Sequence, residues 1–387
     1  MNQDPIRPRH RWTRTFVAVA AGALALATSL TMASSGIAGA QGKSTEPVNV
    51  RLGYFPNVTH APALVGVEGG IFAKDLGKNT LDVKTFNAGP EEVTALLAGA
   101  LDIGYIGPNP SVNAYVQSNG QAVRVVGGAT SGGAYLVVKP EINKASDLKG
   151  KRVASPQLGN TQDVALRTWL KKQGLKTDTQ GGGDVSVVPQ DNALTLDAFK
   201  QGQIAGAWVP EPWATRLVTE GGGKILVDEK TLWPGGKFVT TNIIVRTQFL
   251  DEHPDVVKQV LQGNLDAIDF IKTNRAQAEQ YVGTQIQKIT GKPIAPSLVT
   301  ASFDNLQFTP DPLPQTLQQS AKDAVSVGLL QPPKKLFKIY DLKQLNSILK
   351  EQGKPEVTVK PVQIPAAESA AATTATTASP TTTSAAR

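Results

Sequence analysis

Residues 99–110 read GALDIGYIGPNP, and residues 202–212 read GQIAGAWVPEP. In each stretch a glycine stops a helical segment, a short apolar strand follows, and a Pro-x-Pro precedes the next helix. We interpret this echo as two lobes of similar plan that face each other. Ligands of open α/β sheets bind beyond the carboxyl ends of the strands, so two such lobes would enclose a cleft between their strand ends.

The same alternation extends outward from these two stretches. Helical segments, the first at 61–74, separate short strand candidates at 48–55, 81–86, 102–106, 152–155, 185–188 and 205–209. Beyond residue 249 the pattern is mostly helical. Alternation of this kind predicts an α/β fold with sheets covered by helices on both faces.

The two ends of the 387-residue chain differ from its middle. Residues 1–40 have four arginines, then an apolar stretch, then Ala38-Gly39-Ala40, which predicts a secretory signal peptide. An uncleaved membrane anchor is the alternative. Residues 361–387 are rich in Ala, Thr, Ser and Pro, which predicts a disordered tail, either a glycosylated stalk or a solvated segment without a role.

Composition excludes several classes of function. The chain has no cysteine, which excludes disulfides, thiolate metal sites and a lipid-anchor cysteine. Because of the predicted signal peptide, we expect an exported protein that is periplasmic, associated with the cell envelope or secreted. The net charge is +7 without a basic block, so no nucleic-acid partner is expected. After the signal peptide only His60 and His253 remain, and we predict no metal site, no cofactor and no catalytic constellation.

Three segments place polar residues between a strand end and a helix start: 55–60 (FPNVTH), 106–111 (IGPNPS) and 158–163 (LGNTQD). Unpaired N–H groups at a helix N-terminus attract an oxyanion. Plain N-capping uses the same residue types, but three matching places favour a binding site. The candidates are Asn57, Thr59, His60, Gly107, Asn109, Ser111, Asn160, Thr161 and Gln162.

Further candidates come from three other places. Ser131 precedes two glycines that allow either a close approach to a ligand or an ordinary turn. Glu211, in PEPW, would repel a bare anion and suit an amino group, or serve as a hinge or cap residue. Trp213 could wall the cleft, whereas Trp208 lies in mid-strand and is assigned to the core.

Five stretches together resemble the ABC-importer solute-binding proteins for aliphatic sulfonates, taurine and nitrate. They are 84–92 (KTFNAGPEE), 96–104 (LLAGALDIG), 106–110 (IGPNP), 158–163 (LGNTQD) and 208–213 (WVPEPW), and the resemblance covers about residues 48–330. It implies a two-lobed periplasmic-binding-protein type II fold, with two mixed sheets flanked by helices and a ligand cleft between them. The expected division is lobe one at 48–137 plus 240–330, lobe two at 138–239, and a C-terminal helical segment at 331–360.

The resemblance also implies a function. The protein would be the extracytoplasmic solute-binding component of an ABC importer, a monomer that captures a small sulfonate or related oxyanion and delivers it to the transmembrane subunits of a permease. By position it adds Thr240 to the ligand contacts named above. Residues 159–163 (GNTQD) replace a serine-rich loop, and 211–213 (EPW) replace Asp-Pro-Tyr, which leaves the ligand open.

Three alternatives keep the fold and change the role. The ligand could be an amino-pyrimidine or another vitamin precursor that pairs with Glu211 and His60. The protein could be an enzyme on the same fold, which its few histidines and its signal peptide disfavour. It could also be a sensor subunit that presents a bound solute to a receptor.

Overall fold

The computed structural model describes residues 46–333 and 335–360. The predicted signal peptide and the predicted disordered tail lie outside these residues. In the described part of the chain the strands are β1 Asn49–Tyr54, β2 Thr80–Thr85, β3 Ile103–Ile106, β4 Val123–Gly132, β5 Ala134–Val138, β6 Arg152–Ser155, β7 Ser186–Pro189, β8 Gly206–Pro210, β9 Lys224–Asp228, β10 Val239–Arg246 and β11 Leu306–Phe308. Helices separate most of them, as the sequence pattern predicts.

Thirteen α-helices lie in the described residues, and the last third of these residues is mostly helical. They are α1 Ala61–Glu68, α2 Ile71–Leu76, α3 Gly89–Leu97, α4 Pro108–Gln117, α5 Thr161–Lys172, α6 Asn192–Lys200, α7 Trp213–Thr219, α8 Thr247–Glu252, α9 Pro254–Thr273, α10 Arg275–Thr290, α11 Pro296–Asp304, α12 Pro314–Ser326 and α13 Lys343–Glu351. Short 3₁₀ helices occur at Val58–His60, Ala145–Leu148, Glu229–Leu232, Pro234–Gly236 and Leu336–Ile339. None of the described helices is both long enough and apolar enough to cross a membrane.

The strands form two mixed sheets. The first has six strands in the order β11-β4-β10-β3-β1-β2, and the second has five in the order β7-β6-β8-β5-β9. In the first sheet β1 runs parallel to β2 and β3, whereas β10 is antiparallel to β3 and β4. In the second, β6 is parallel to β7 and β8, and β5 is antiparallel to β8 and β9. We call the part built on the six-stranded sheet lobe one and the part built on the five-stranded sheet lobe two.

The chain leaves the first sheet earlier than the sequence predicts. Gly132 and Gly133 have φ values of 85° and 70°, and they turn the chain between β4 and β5. Because β5 pairs with β8, residues 134–137 belong to the second sheet and not to lobe one, where the sequence division placed them. The chain returns to the first sheet at Val239, next to the predicted boundary at 239/240.

A pair of glycines also divides the first predicted helix. The sequence predicts one helix over 61–74, but α1 ends at Glu68 and α2 begins at Ile71. Gly70 between them has a φ of 68°, a left-handed conformation that interrupts the helical hydrogen bonds. Both short helices pack on α9.

Apolar cores lie on both faces of each sheet. In lobe one, helices α1, α2, α9, α10 and α13 cover one face and α3, α4 and α12 cover the other. In lobe two, α5 covers one face and α6 and α7 cover the other. Leu345 and Ile348 of the C-terminal segment are buried in the core of lobe one. Each sheet is thereby covered by helices on both of its faces.

Candidate functional site

A narrow pocket lies where the carboxyl ends of the parallel strands of the two sheets face each other. The space between its atoms, open mouth included, is about 340 Å³. It is lined by Phe55, Asn57, Thr59, His60, Asn87, Gly107, Pro156, Asn160, Thr161, Gln162, Asn192, Pro210 and Thr240. All except Thr240 end or closely follow a strand that has a parallel neighbour, where the topology of open sheets places a ligand site.

Four helices begin at this pocket, two from each lobe. Asn87 lies just before α3, Gly107 directly precedes α4, Asn160 is the N-cap of α5, and Asn192 is the first residue of α6. The first-turn N–H groups of a helix lack intrahelical partners and carry the positive end of its dipole. Among the described lining residues there is no Asp, Glu, Lys or Arg, so no charged side chain in the wall competes with these helix ends.

His60 contributes an uncharged wall. Its ring packs on Phe55 with centroids 4.4 Å apart, and its Nδ1 accepts a hydrogen bond from the Phe55 backbone N at 3.3 Å. Burial lowers the pKa of His60 to about 3, so the ring is neutral at physiological pH. Since Nδ1 is the acceptor, the proton is on Nε2, and the ring can donate from that atom without carrying a charge.

The start of α5 is held by a buried ion pair. Asp163 accepts hydrogen bonds from Ser155 Oγ at 2.7 Å and from Gly159 N at 2.9 Å, and it pairs with Arg167 Nε at 3.1 Å. Asn160 Oδ1 accepts from Thr161 N at 2.6 Å, so the predicted capping role of Asn160 is real. These bonds fix the backbone of the loop against the pocket.

Thr161 has a feature that capping does not explain. Its Oγ1 is buried and has no hydrogen-bond partner within the described structure. Gly107 of lobe one lies directly opposite, and a Cβ at position 107 would overlap the Thr161 hydroxyl. The two lobes therefore meet closely here, and only the absence of a side chain at Gly107 leaves room for that hydroxyl.

Asn87 and Asn192 are lining residues that the sequence argument did not single out. Asn192 Oδ1 is buried without a partner, like Thr161 Oγ1. Both asparagines occupy a junction between a strand and a helix, which is the pattern that selected the three predicted segments. Applying that rule to β2 and β7 as well would have found them. Phe55, Pro156 and Pro210, which also line the pocket, carry no polar signal.

Two predicted residues of α4 are buried behind the lining. Asn109 Nδ2 donates to the Ser320 carbonyl oxygen at 3.0 Å. Ser111 Oγ donates to the Gly107 carbonyl oxygen at 2.9 Å and accepts from Asn242 Nδ2 at 2.9 Å. In this structure they anchor α4 to α12 and β10 instead of facing the pocket.

The crossing between the lobes holds Ser131 and Thr240. Ser131 Oγ accepts from Phe238 N at 3.3 Å and does not line the pocket. Thr240 does line it, and its Oγ1 donates to the Gly132 carbonyl oxygen at 2.6 Å. Both hydroxyls join the chain leaving the first sheet to the chain returning to it.

Glu211 joins the lobes and is absent from the pocket lining. Its Oε1 accepts from Thr215 Oγ1 at 2.9 Å and from Asn305 Nδ2 at 2.7 Å, and its Oε2 accepts from Ser302 Oγ at 3.3 Å. Burial raises the pKa of Glu211, although these hydrogen bonds oppose the rise. Of the two roles that the sequence left open, the contacts correspond to the hinge or cap residue.

Two further side-chain hydrogen bonds cross between the lobes beside the pocket. Trp213 Nε1 donates to Asn57 Oδ1 at 2.9 Å, and Gln157 Nε2 donates to Glu91 Oε1 at 2.8 Å. Trp213 thus orients a lining residue without lining the pocket itself. Trp208, assigned to the core by the sequence, is fully buried in lobe two. The lobes are in contact around the pocket, which is a closed arrangement.

Metal chemistry finds no support in the described residues, where no three His, Cys, Asp or Glu side chains come together in a group that could hold an ion. The polar groups that face the pocket are amides, hydroxyls, an imidazole and backbone N–H groups. Such groups bind and orient a solute, and none of them is a charged nucleophile or base.

The fold and the cleft together define the class of two-lobed α/β binding-protein folds. The model of the NMT1-like family matches residues 43–285 of the 387, well over half of the chain. The chain belongs to the NMT1-like family.

A curated relative extends this assignment. The chain is 32% identical over 222 residues to the taurine-binding periplasmic protein of Escherichia coli (strain K12), a match that covers 57% of this chain and 66% of that protein. The chain thus spans just under two thirds of the length of this relative. The predicted resemblance to taurine- and sulfonate-binding proteins is confirmed.

Solved structures agree on the fold. The alkanesulfonate-binding protein SsuA from Xanthomonas axonopodis pv. citri, bound to MOPS, matches with a TM-score of 0.61 and 20% identity, over 74% of this chain and 96% of that chain. The periplasmic nitrate-binding protein NrtA from Synechocystis PCC 6803 matches with a TM-score of 0.66 and 16% identity, over 80% and 90%. The predicted two-lobed periplasmic-binding-protein fold is confirmed.

Proposed function

We propose that this protein is the extracytoplasmic solute-binding component of an ABC importer, and that it captures a small sulfonate or a related oxyanion between its lobes. The observation that carries the proposal is the meeting of four helix N-termini at a pocket whose described lining has no acidic or basic side chain. An anion that enters loses its hydration, and oriented N–H dipoles replace it without a full counter-charge.

The unpaired polar atoms support a solute that both accepts and donates hydrogen bonds. Thr161 Oγ1 can donate to a sulfonate oxygen beside the first turn of α5. Asn192 Oδ1 can accept from an amino group. Taurine, for which the Escherichia coli relative is named, carries both a sulfonate and an ammonium group. We propose aminosulfonates as the first class to test.

The amino-pyrimidine alternative required Glu211 to pair with the ligand. Glu211 does not line the pocket, and it already accepts hydrogen bonds from Thr215, Ser302 and Asn305. The enzyme alternative requires a reactive group in the cleft, and His60, whose pKa burial lowers to about 3, is a weak base among amides and hydroxyls. Both alternatives therefore have less support than solute capture.

Closure of the lobes is the proposed mechanism. The chain crosses between the sheets at 132–134 and again at 228–239, two segments about which the lobes could rotate. Bonds that cross between the lobes, such as Trp213 to Asn57 and Glu211 to Asn305, would form on closure. The transmembrane subunits of a permease would then recognise the closed form. This recognition would take place outside the cytoplasmic membrane, across which the predicted signal peptide directs export.

Isothermal titration calorimetry of the purified protein tests the proposal. The panel contains taurine, ethanesulfonate, sulfate, nitrate, bicarbonate and an amino-pyrimidine. We expect micromolar or tighter binding of a sulfonate, which corresponds to a binding free energy of about −8 kcal/mol. A solute present at 100 times its Kd should also raise the unfolding free energy of the protein by about 2.7 kcal/mol. Binding of the amino-pyrimidine alone would replace the proposed ligand class. Binding of none of these solutes would overturn the proposal.

A further inference from the structure

A second cavity lies between the lobes, away from the first pocket. It is bounded by α5 of lobe two, by the segment 229–234 of lobe two, and by α12, which packs on the sheet of lobe one. The space between its atoms is about 930 Å³, open mouth included. The two cavities share no lining residue, so occupation of one leaves the other physically free.

Aromatic and aliphatic side chains form most of the wall. Trp169 is buried against Trp208 with ring centroids 6.1 Å apart, and Trp233 stacks on Phe238 at 5.7 Å with an interplanar angle of 13°. Leu232 at the rim is 48% exposed. These contacts fix the two indoles before any ligand arrives, so they offer preformed apolar surfaces.

The polar side chains of the lining are those of Thr168, Lys172, Gln173, Glu229, Gln319 and Asp323. Glu229 is buried, and its two carboxyl oxygens accept from Trp208 Nε1 at 2.7 Å and from Trp233 Nε1 at 3.3 Å. Each oxygen retains a second lone pair. Thr168 Oγ1 is buried and has no partner among the described residues. Asp323 of α12 lies on the opposite wall. Burial raises the pKa of Glu229 to about 7 and raises that of Asp323, although the Gln319 amide and the charges of Lys172 and Lys322 oppose the rise at Asp323. A cation placed between the two carboxyl groups would stabilise their ionised forms.

We propose that this cavity is a second binding site, for a small organic amine whose ammonium group is attached to a flat apolar body. The carboxyls of Glu229 and Asp323 and the free Thr168 hydroxyl supply acceptors for the ammonium group, and the only basic lining residue in the described chain is Lys172 at the exposed edge. The indoles of Trp169 and Trp233 supply stacking and cation–π surface for the rest of the ligand. This site goes beyond the proposed capture of an oxyanion and does not depend on it.

The test uses 2-phenylethylamine as the probe and 2-phenylethanol as its uncharged counterpart. Binding to the full protein is followed by calorimetry and by tryptophan fluorescence, without and with taurine. We expect the amine to bind about tenfold or more tightly than the alcohol, because only the amine gains the two carboxyls. Equal affinities, or no binding of the amine at millimolar concentration, would overturn the proposal.

Matched variants locate the probe. Asp323→Asn keeps the size of the side chain and removes its charge, and it should weaken the amine by about fivefold or more. Thr161→Val alters the first pocket alone and should leave amine binding unchanged. Loss of binding in Thr161→Val but not in Asp323→Asn would place the amine in the first pocket and refute a second site. Thermal unfolding of each variant verifies that it is folded. If Asp323→Asn does not fold, Trp233→Leu gives a second test of the same site.

Discussion

The two walls of the first pocket differ in the hydrogen bonding of their polar side chains. On the lobe-one wall, His60 accepts from the Phe55 backbone and Thr240 donates to the Gly132 carbonyl, both within lobe one. Asn57 accepts from Trp213 of lobe two. On the lobe-two wall, Thr161 Oγ1 and Asn192 Oδ1 are buried without partners. A buried polar group that lacks a partner costs about 1–3 kcal/mol.

This difference assigns a role to each wall. The His60 and Thr240 bonds of the lobe-one wall lie within lobe one, so they do not depend on closure or on a solute. On the lobe-two wall, a solute that pairs with Thr161 Oγ1 and Asn192 Oδ1 would stabilise the closed form, in which these atoms are buried. The driving force for closure would then come from lobe two.

The largest expected effect comes from removing the support of the lobe-two wall. Asp163→Asn breaks the buried pair with Arg167 and leaves a guanidinium without its partner, so we expect the unfolding free energy to fall by about 3 kcal/mol. Urea denaturation measures the change. Glu220→Gln is the matched control, because its pair with Arg216 has the same i,i+4 spacing but is partly exposed, and the loss should be at most about 1 kcal/mol. Similar losses in the two variants would mean that the buried pair is not a special support.

The next effect isolates the free hydroxyl. Thr161→Val keeps the shape of the side chain and should weaken binding of the panel sulfonate by about tenfold to a hundredfold, the range for a hydrogen bond to a charged group. The unfolding free energy of the unliganded variant should not fall, since the hydroxyl has no partner there. Thr168→Val on the same helix also removes a buried unpaired hydroxyl, but outside this pocket. If calorimetry shows unchanged affinity in the Thr161 variant, the proposed difference in role between the two walls is wrong.

A smaller effect tests how closely the walls approach. Gly107 has a φ of −71°, which alanine also adopts, so the cost of Gly107→Ala would be its overlap with the Thr161 hydroxyl. We expect about tenfold weaker sulfonate binding. In a Thr161→Ala background the same substitution should cost less, because the overlapping atom is gone. Fully additive losses in calorimetry would show that the two residues do not meet in the bound form.

The smallest expected effect is an absence of pH dependence. His60 is neutral above a pKa of about 3, so sulfonate affinity should vary by no more than about twofold between pH 5.5 and 8. The unfolding free energy depends on pH with the opposite sign to that of a histidine whose pKa is raised by an acidic partner. The folded-state pKa lies below the unfolded value of 6.5, so the contribution of the neutral ring is complete above 6.5 and declines as the pH falls toward 3. An affinity that rises with acidity around pH 6.5 would mean that His60 binds the anion as a cation.

Much of the secondary structure was readable from local pattern. The predicted strand at 152–155 coincides with β6, and the helix predicted from residue 162 begins one residue earlier, at Thr161. The errors arose at glycines: Gly70 divides a predicted helix, and Gly132 and Gly133 send β5 into the other sheet. Periodicity shows where an apolar run lies, but the direction after a left-handed glycine depends on which partner strand is available.

The position of the pocket was predictable, but its lining residues were predictable only in part. Asn57, Thr59, His60, Gly107, Asn160, Thr161, Gln162 and Thr240 line the pocket, whereas Asn109, Ser111, Ser131, Glu211 and Trp213 do not. A polar residue at a helix start can point into a cleft or back into the protein. Ser111 lies one turn into α4 and bonds to Gly107 and Asn242, so its neighbours in space decided its direction.

The sequence by itself determined the alternation of strands and helices, the family, and the edge of the sheets at which the pocket lies, because each of these depends on short-range pattern and on residue types at fixed spacing. Only the tertiary structure decided which hydroxyl and amide stay unpaired, that Glu211 bridges the lobes, and that a second, aromatic cavity lies between α5 and α12. These features depend on distances between residues far apart in the chain, and no local pattern encodes such distances.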